Sequence, residues 1–159
     1  MATCRLPRED AAMLDSGYLN LFGRVLLGLI FLISGINKIA DPQGTQHYMA
    51  LMGMTTMTTL FYIGAVAIEI AGSLSLLLGY RTKTGAWLLF VFMIPTTLVF
   101  HTNFADPNQM IHFLKNLAMM GGLLYVAEYG GGRYSMDAGL ERVERIEEPR
   151  RPLRKVVHQ

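Results

Sequence analysis

The chain has 159 residues, of which 52% are hydrophobic and only 16% charged, with a mean hydropathy of +0.32. Soluble domains carry nearer a quarter charged residues, so the polar groups that coat a water-facing surface are in short supply, which excludes an intrinsically disordered protein and argues against a soluble enzyme. Cys4 is the lone cysteine, so no intrachain disulfide framework and no CxxC redox or zinc motif exists, and a net charge of +2 gives no reason to expect nucleic acid.

Four apolar blocks come close to the roughly 20 residues that a membrane helix needs. The first, Tyr18 to Ala40, is interrupted by Asn20, Arg24, Asn37 and Lys38. The second, Leu60 to Tyr80, holds one charge, Glu69. The third, Gly85 to Phe100, has no charge and one proline, Pro95; the fourth, Gln109 to Ala127, carries His112, Lys115 and Asn116. The first block is too long for a removable signal peptide and lacks a small-residue cleavage site after it. A water-soluble four-helix bundle would need polar faces at period 3.6, and the second and third blocks have none. The predicted fold is all-α: an antiparallel four-span bundle over residues 18–128, with spans near 18–40, 60–80, 85–100 and 109–127. Residues 1–17 form an N-terminal segment and 129–159 a C-terminal tail.

Basic residues orient the bundle. Arg5 and Arg8 precede the first span, Arg81 and Lys83 lie in the second connection, and the tail adds seven more, so eleven of the fourteen Lys and Arg fall on one side. By the positive-inside rule both ends lie in the cytoplasm. In the first connection, Asp41 to Thr59, residues 47–52 read as a short interfacial helix capping the outer mouth. At the other end Gly130-Gly131-Gly132 breaks the fourth helix, and Ser135 caps a helix near 135–148 that Pro149 stops. Met136, Leu140, Val143 and Ile146 share one of its faces, which suits either the anionic membrane surface or a cytoplasmic partner.

Ionisable groups within a span are expensive and face the bundle interior. Glu69 lies some nine residues into the second helix, about 14 Å deep, and Lys115 about 9 Å deep in the antiparallel fourth. That difference is within a lysine's reach, so an internal Glu69–Lys115 ion pair is expected. On the first helix Arg24, Gly28, Phe31, Gly35 and Lys38 form one stripe; the glycines admit a close neighbour, as do Gly72 and Gly122. Arg24 suits either snorkelling to headgroups or packing, whereas Lys38 is expected to point inward. His112, Lys115, Asn116 and Met119 share a face of the fourth helix, and Tyr62, Ala65, Glu69, Gly72 and Ser73 share one of the second. Together with His101 these give a predicted polar pocket of Lys38, Glu69, His101, Lys115 and Asn116, walled by Phe31, Tyr62 and Met119.

No HxxxH or ExxH spacing supports a metal, and the lysines disfavour a dication. His101 and His112 lie too near one surface to ligate a haem from both sides. No glycine-rich nucleotide loop, nucleophile elbow or Cys–His arrangement is present. A quinone, with carbonyl acceptors, fits Lys and His donors in a membrane pocket; no covalent cofactor and no catalytic residue is assigned.

The chain resembles the DoxX family of small four-span membrane proteins from Gly23 to about Leu140. The resemblance rests on Arg24 to Lys38 (RVLLGLIFLISGINK), Glu69 to Gly79 (EIAGSLSLLLG) followed by Arg81, His101, Lys115 to Leu124 (KNLAMMGGLL) and Gly131 to Asp137 (GGRYSMD). One departure is Gly53-Met54-Thr55, where such proteins often carry Gly-x-Pro. The resemblance implies a membrane subunit of an oxidoreductase system, one branch being tied to thiosulfate oxidation with quinone as acceptor and another to an oxidative-stress complex; nothing in this sequence points to thiosulfate. The expectation is therefore an inner-membrane subunit of a quinone-linked complex that has no redox centre of its own and takes its electrons from a protein partner. Lys115 and His101 would bind the quinone carbonyls, and Glu69 would hold Lys115 and exchange a proton. The alternatives are a non-catalytic assembly subunit and a small transporter or lipid-handling protein.

Overall fold

The computed structural model describes residues 8–147, with side chains from 17 to 146. Arg5, the stop at Pro149 and the basic run from Arg150 to Lys155 lie outside the described residues. The chain is all-helical over this range: α1 Arg8–Ala40, α2 Pro42–Leu51, α3 Thr58–Leu78, α4 Thr82–Phe100, α5 Pro107–Tyr129 and α6 Met136–Glu147. Four of these contain stretches long and apolar enough to cross a membrane: Gly17–Ala40, Thr58–Leu78, Thr82–Phe100 and Pro107–Tyr129. α1 reaches back ten residues before the expected start at Tyr18, and the second connection is shorter than expected between spans 60–80 and 85–100, since α4 already begins at Thr82 and takes in Lys83.

Helix ends follow local chemistry. Asp41 and Asp106 cap α2 and α5, accepting from Gly44 N and Asn108 N at 2.9 Å, and each is followed by a proline whose missing N–H costs nothing there. Gly79 ends α3 at φ 68°, a left-handed conformation that favours glycine. Ser135 Oγ accepts from Ala138 N at 3.2 Å at the start of α6.

α1 packs chiefly on α3, α3 on α4, and α4 on α5, while the α1–α5 seam is thin. α3 and α5 therefore sit on opposite corners of the bundle. The core is narrow: Phe31, Leu76, Ala86, Leu89, Met93 and Leu123 are buried, yet only 22–28% of each span lies inside the protein. Large apolar side chains such as Phe22, Ile33, Leu60 and Val91 point outward. A patch of that extent is incompatible with water and suits acyl chains.

Glycines set the helix separations. A Cβ on Gly28 would stand 2.9 Å from Leu77, on Gly35 2.8 Å from Ile70, on Gly72 2.5 Å from Leu89, and on Gly122 3.1 Å from Leu27. Gly121, next to the last of these, faces open space. Small residues let membrane helices approach where no hydrophobic force joins them.

Candidate functional site: a side-opening cavity over a buried ion pair

The end of the bundle that holds α2 contains a cavity of about 1170 Å³. Met49 and Tyr48 of α2 form part of its roof, and Phe31, Ala65, Met93 and Met119 part of its wall. Ile33, Leu60 and Phe61 line its rim and are themselves more than half exposed. These three lie within the spans, so in a bilayer the opening faces hydrocarbon.

Glu69 and Lys38 are its polar floor. Lys38 Nζ lies 2.9 Å from Oε1 and 2.9 Å from Oε2 of Glu69. Ser34 Oγ accepts from Lys38 Nζ at 2.8 Å and donates to Glu69 Oε1 at 3.1 Å. Glu69 is 4% exposed, and the Lys38 side chain is 22% exposed, so the charges neutralise one another where water is scarce.

The expected Glu69–Lys115 pair does not form. The register shows why. Asn116 Nδ2 donates to Thr97 Oγ1 at 3.0 Å, which aligns α5 with α4, and Gly72 against Leu89 aligns α4 with α3. Glu69 is then level with a position on α5 about six residues beyond Lys115, about 9 Å along the axis. It also projects toward α1, its Cβ 3.4 Å from where a Gly35 side chain would begin, and α5 is diagonally opposite.

Lys115 instead meets its own helix. It is exposed, and its Nζ lies 3.0 Å from His112 Nδ1. As an ammonium it can only donate, so that imidazole nitrogen accepts. His101 Nδ1 contacts Gln109 Oε1 at 2.8 Å, and the His101 and His112 rings lie 5.1 Å apart. Lys38, Glu69, His101, Lys115, Asn116, Phe31 and Met119 all line the cavity, whereas Tyr62 is not among its lining residues. The Tyr62 hydroxyl donates to Lys38 O at 3.1 Å, satisfying a carbonyl at the end of α1.

Ser34, Thr97 and Gln109 were not singled out from the sequence. Ser34 stands four residues before Lys38, on the same helix face, and that spacing was the available signal. Among the described residues no group of three His, Cys, Asp or Glu side chains is placed to hold a metal.

A second polar cluster fastens the opposite end. Arg24, 1% exposed, does not snorkel. Its guanidinium donates to Asn20 Oδ1 at 3.1 Å, Leu76 O at 2.6 Å and Tyr134 O at 2.7 Å. The Asp137 carboxylate accepts from Arg81 N at 2.7 Å and from Thr82 N and Oγ1 at 2.9 and 2.7 Å. Burial pushes the Asp137 carboxyl up, but hydrogen bonds from Thr82 and Arg81, with the charge of Arg24, outweigh it and hold the group below the usual aspartate range. Gly79 and Gly131 fit here because a Cβ on either would meet Ser135, at 2.5 and 2.6 Å.

The model of the DoxX family matches residues 19–102. Two Escherichia coli (strain K12) proteins are similar to the chain. Inner membrane protein YqjF is 37% identical over 117 residues, covering 74% of this chain and 88% of that protein. Inner membrane protein YphA is 34% identical over 122 residues, covering 74% and 86%. No solved structure matches. The matched region contains α2 to α4 and both charges of the buried pair, and with four membrane-spanning helices around it this chain belongs to the DoxX family of integral membrane proteins.

Proposed function

We propose that the protein is a quinone-binding subunit of an inner-membrane oxidoreductase system, with both termini in the cytoplasm. The observation that carries this reading is the cavity: about 1170 Å³, apolar in most of its wall, open toward hydrocarbon and polar at its floor. Ligand sites combine such apolar surface with a few convergent polar groups, and a lipoquinone has the matching shape of a polar ring on an apolar tail. The names of the two relatives support the inner membrane, and the bias of basic residues in the sequence, eleven of fourteen in the two terminal segments and the second connection, supports the orientation.

Within this reading Lys38, not Lys115, holds Glu69. His101 and Lys115, which line the cavity near the α2 end, are donors for a ring oxygen, and Glu69 is the group able to exchange a proton. Electrons pass to or from a protein partner. The test is to extract the purified, detergent-solubilised protein and quantify quinone by chromatography, then repeat with Lys115→Ala and His101→Ala. A stoichiometric quinone reduced in both variants supports the reading. A quinone-free preparation that supports full activity of its complex rejects it.

A second reading, an assembly subunit without a ligand, draws on α6. Met136, Leu140, Val143 and Ile146 are 49–77% exposed, an apolar face with no cover from the described residues. Truncation after Asp137 keeps the cap on α4, and loss of complex assembly with an intact bundle and intact quinone content would favour this reading.

A further inference from the structure

The start of α6 is fastened at the end of the spans. Asp137 N donates to Gly79 O, at the end of α3, at 2.9 Å. Tyr134 O accepts from Arg24 at 2.7 Å, and the Tyr134 ring stacks on Tyr18 with centroids 4.5 Å apart. Beyond the first turn no described residue covers the helix: every position from Gly139 to Ile146 is exposed. Tyrosines mark the same level. Tyr18, Tyr80, Tyr125 and Tyr129 are exposed at this end of the four spans, and such amphipathic rings gather where hydrocarbon meets water. α6 therefore starts at the depth of the membrane surface.

At about 100° per residue, Met136, Leu140, Val143 and Ile146 fall within about 120° of arc. Asp137, which faces the α3–α4 turn, lies about 120° from the middle of that stripe, and Arg145 about 160° from it. The apolar stripe thus turns away from the protein, with charge on its far side. A stable protein interface buries about 800 Å² on each partner, more than four side chains, three of them half-buried already, can supply. We infer that α6 lies in the membrane surface at this end of the bundle, its apolar stripe seated among headgroups and upper acyl chains and continuous with the lipid-facing surface of the spans. Interfacial helices sit this way, with the apolar face about 5–10 Å deep. α6 itself carries four acids against two arginines, so apolar burial holds it there rather than attraction to anionic lipid. Lipid then covers the face on which the assembly reading draws. The inference rests neither on the quinone reading nor on which side of the membrane this end faces.

The experiment attaches a nitroxide to single cysteines in the full Cys4→Ser chain, at Leu140→Cys, Val143→Cys, Arg142→Cys and Arg145→Cys, reconstituted in phosphatidylcholine vesicles. All four side chains are exposed, so substitution leaves the bundle packed. Power-saturation EPR reads accessibility to oxygen, which concentrates in hydrocarbon, and to a neutral nickel chelate, which stays in water. The expected result is an oxygen-to-nickel ratio severalfold higher at Leu140 and Val143 than at Arg142 and Arg145, with no anionic lipid present. Equal ratios, with nickel reaching all four positions, put the helix in water and overturn the inference. Low accessibility to both reagents at Leu140 and Val143 means that a second copy of this chain covers the stripe, and overturns it as well.

Discussion

Asp137 caps α4 at Thr82, accepting from both its backbone N–H at 2.9 Å and its hydroxyl at 2.7 Å. Arg81, at the N-cap position of α4, makes no side-chain cap hydrogen bond, so the donors left open at that terminus are met by a residue from the last helix. The backbone answers in kind, since Asp137 N donates to Gly79 O at 2.9 Å. The start of α6 is thereby bolted to the α3–α4 turn.

Acid should loosen that bolt. The folded-state value of Asp137 lies below the ordinary one, so its stabilisation is complete above the unfolded value of about 3.9. It disappears as pH falls through the still lower folded value. The hydrogen-exchange protection of Thr82 N–H and the first turn of α6, taken relative to an unstructured amide at each pH from 6 to 3, should fall only below about pH 4. Asp137→Asn should be less protected than the parent at pH 6, with the difference shrinking as the pH falls, and unchanged protection at pH 6 in that variant would contradict the cap.

Arg24→Lys should be nearly as damaging as Arg24→Ala. Arg24 reaches three acceptors on three segments through a planar fork that an ammonium on a shorter reach cannot reproduce. Leaving Leu76 O and Tyr134 O without this donor should cost about 2 kcal/mol. Thermal unfolding in detergent measures it, and full stability in the lysine variant would show that the fork is dispensable.

The buried pair makes a double-mutant cycle decisive. Glu69→Leu alone strands the Lys38 ammonium and should destabilise by about 3 kcal/mol, whereas the same Glu69→Leu combined with Lys38→Met should recover most of that loss. Lys115→Met should show no coupling to Glu69. Significant coupling between Glu69 and Lys115, with none to Lys38, would restore the pair expected from the sequence.

Helix spacing gives a steric contrast. Gly72→Ala places a Cβ 2.5 Å from Leu89 Cγ, a side chain with no exposure, so α3 and α4 must separate or repack at a cost of about 1–3 kcal/mol. Gly121→Ala and Gly64→Ala meet nothing within 4 Å and should fold as stably as the parent. Unfolding temperatures of the three variants in one detergent compare them directly.

The sequence by itself determined the spans, because a bilayer imposes a length and an apolarity that any helix must satisfy alone. It also revealed that Gly28, Gly35 and Lys38 share a face, since 3.6-residue periodicity is a property of one helix. Ser135 starting α6 and the glycines ending α5 were legible for the same reason: caps act within a few residues. Partner choice was not. Depth counted from the block ends pairs Glu69 with Lys115. Depth in a bundle is fixed instead by contacts such as Asn116–Thr97 and Gly72–Leu89, and diagonal helices do not meet at all. The role of Asp137 was invisible too, because its donors lie on another helix far away in the chain. One helix's periodicity shows which way a side chain faces, but only the assembled bundle decides what it faces.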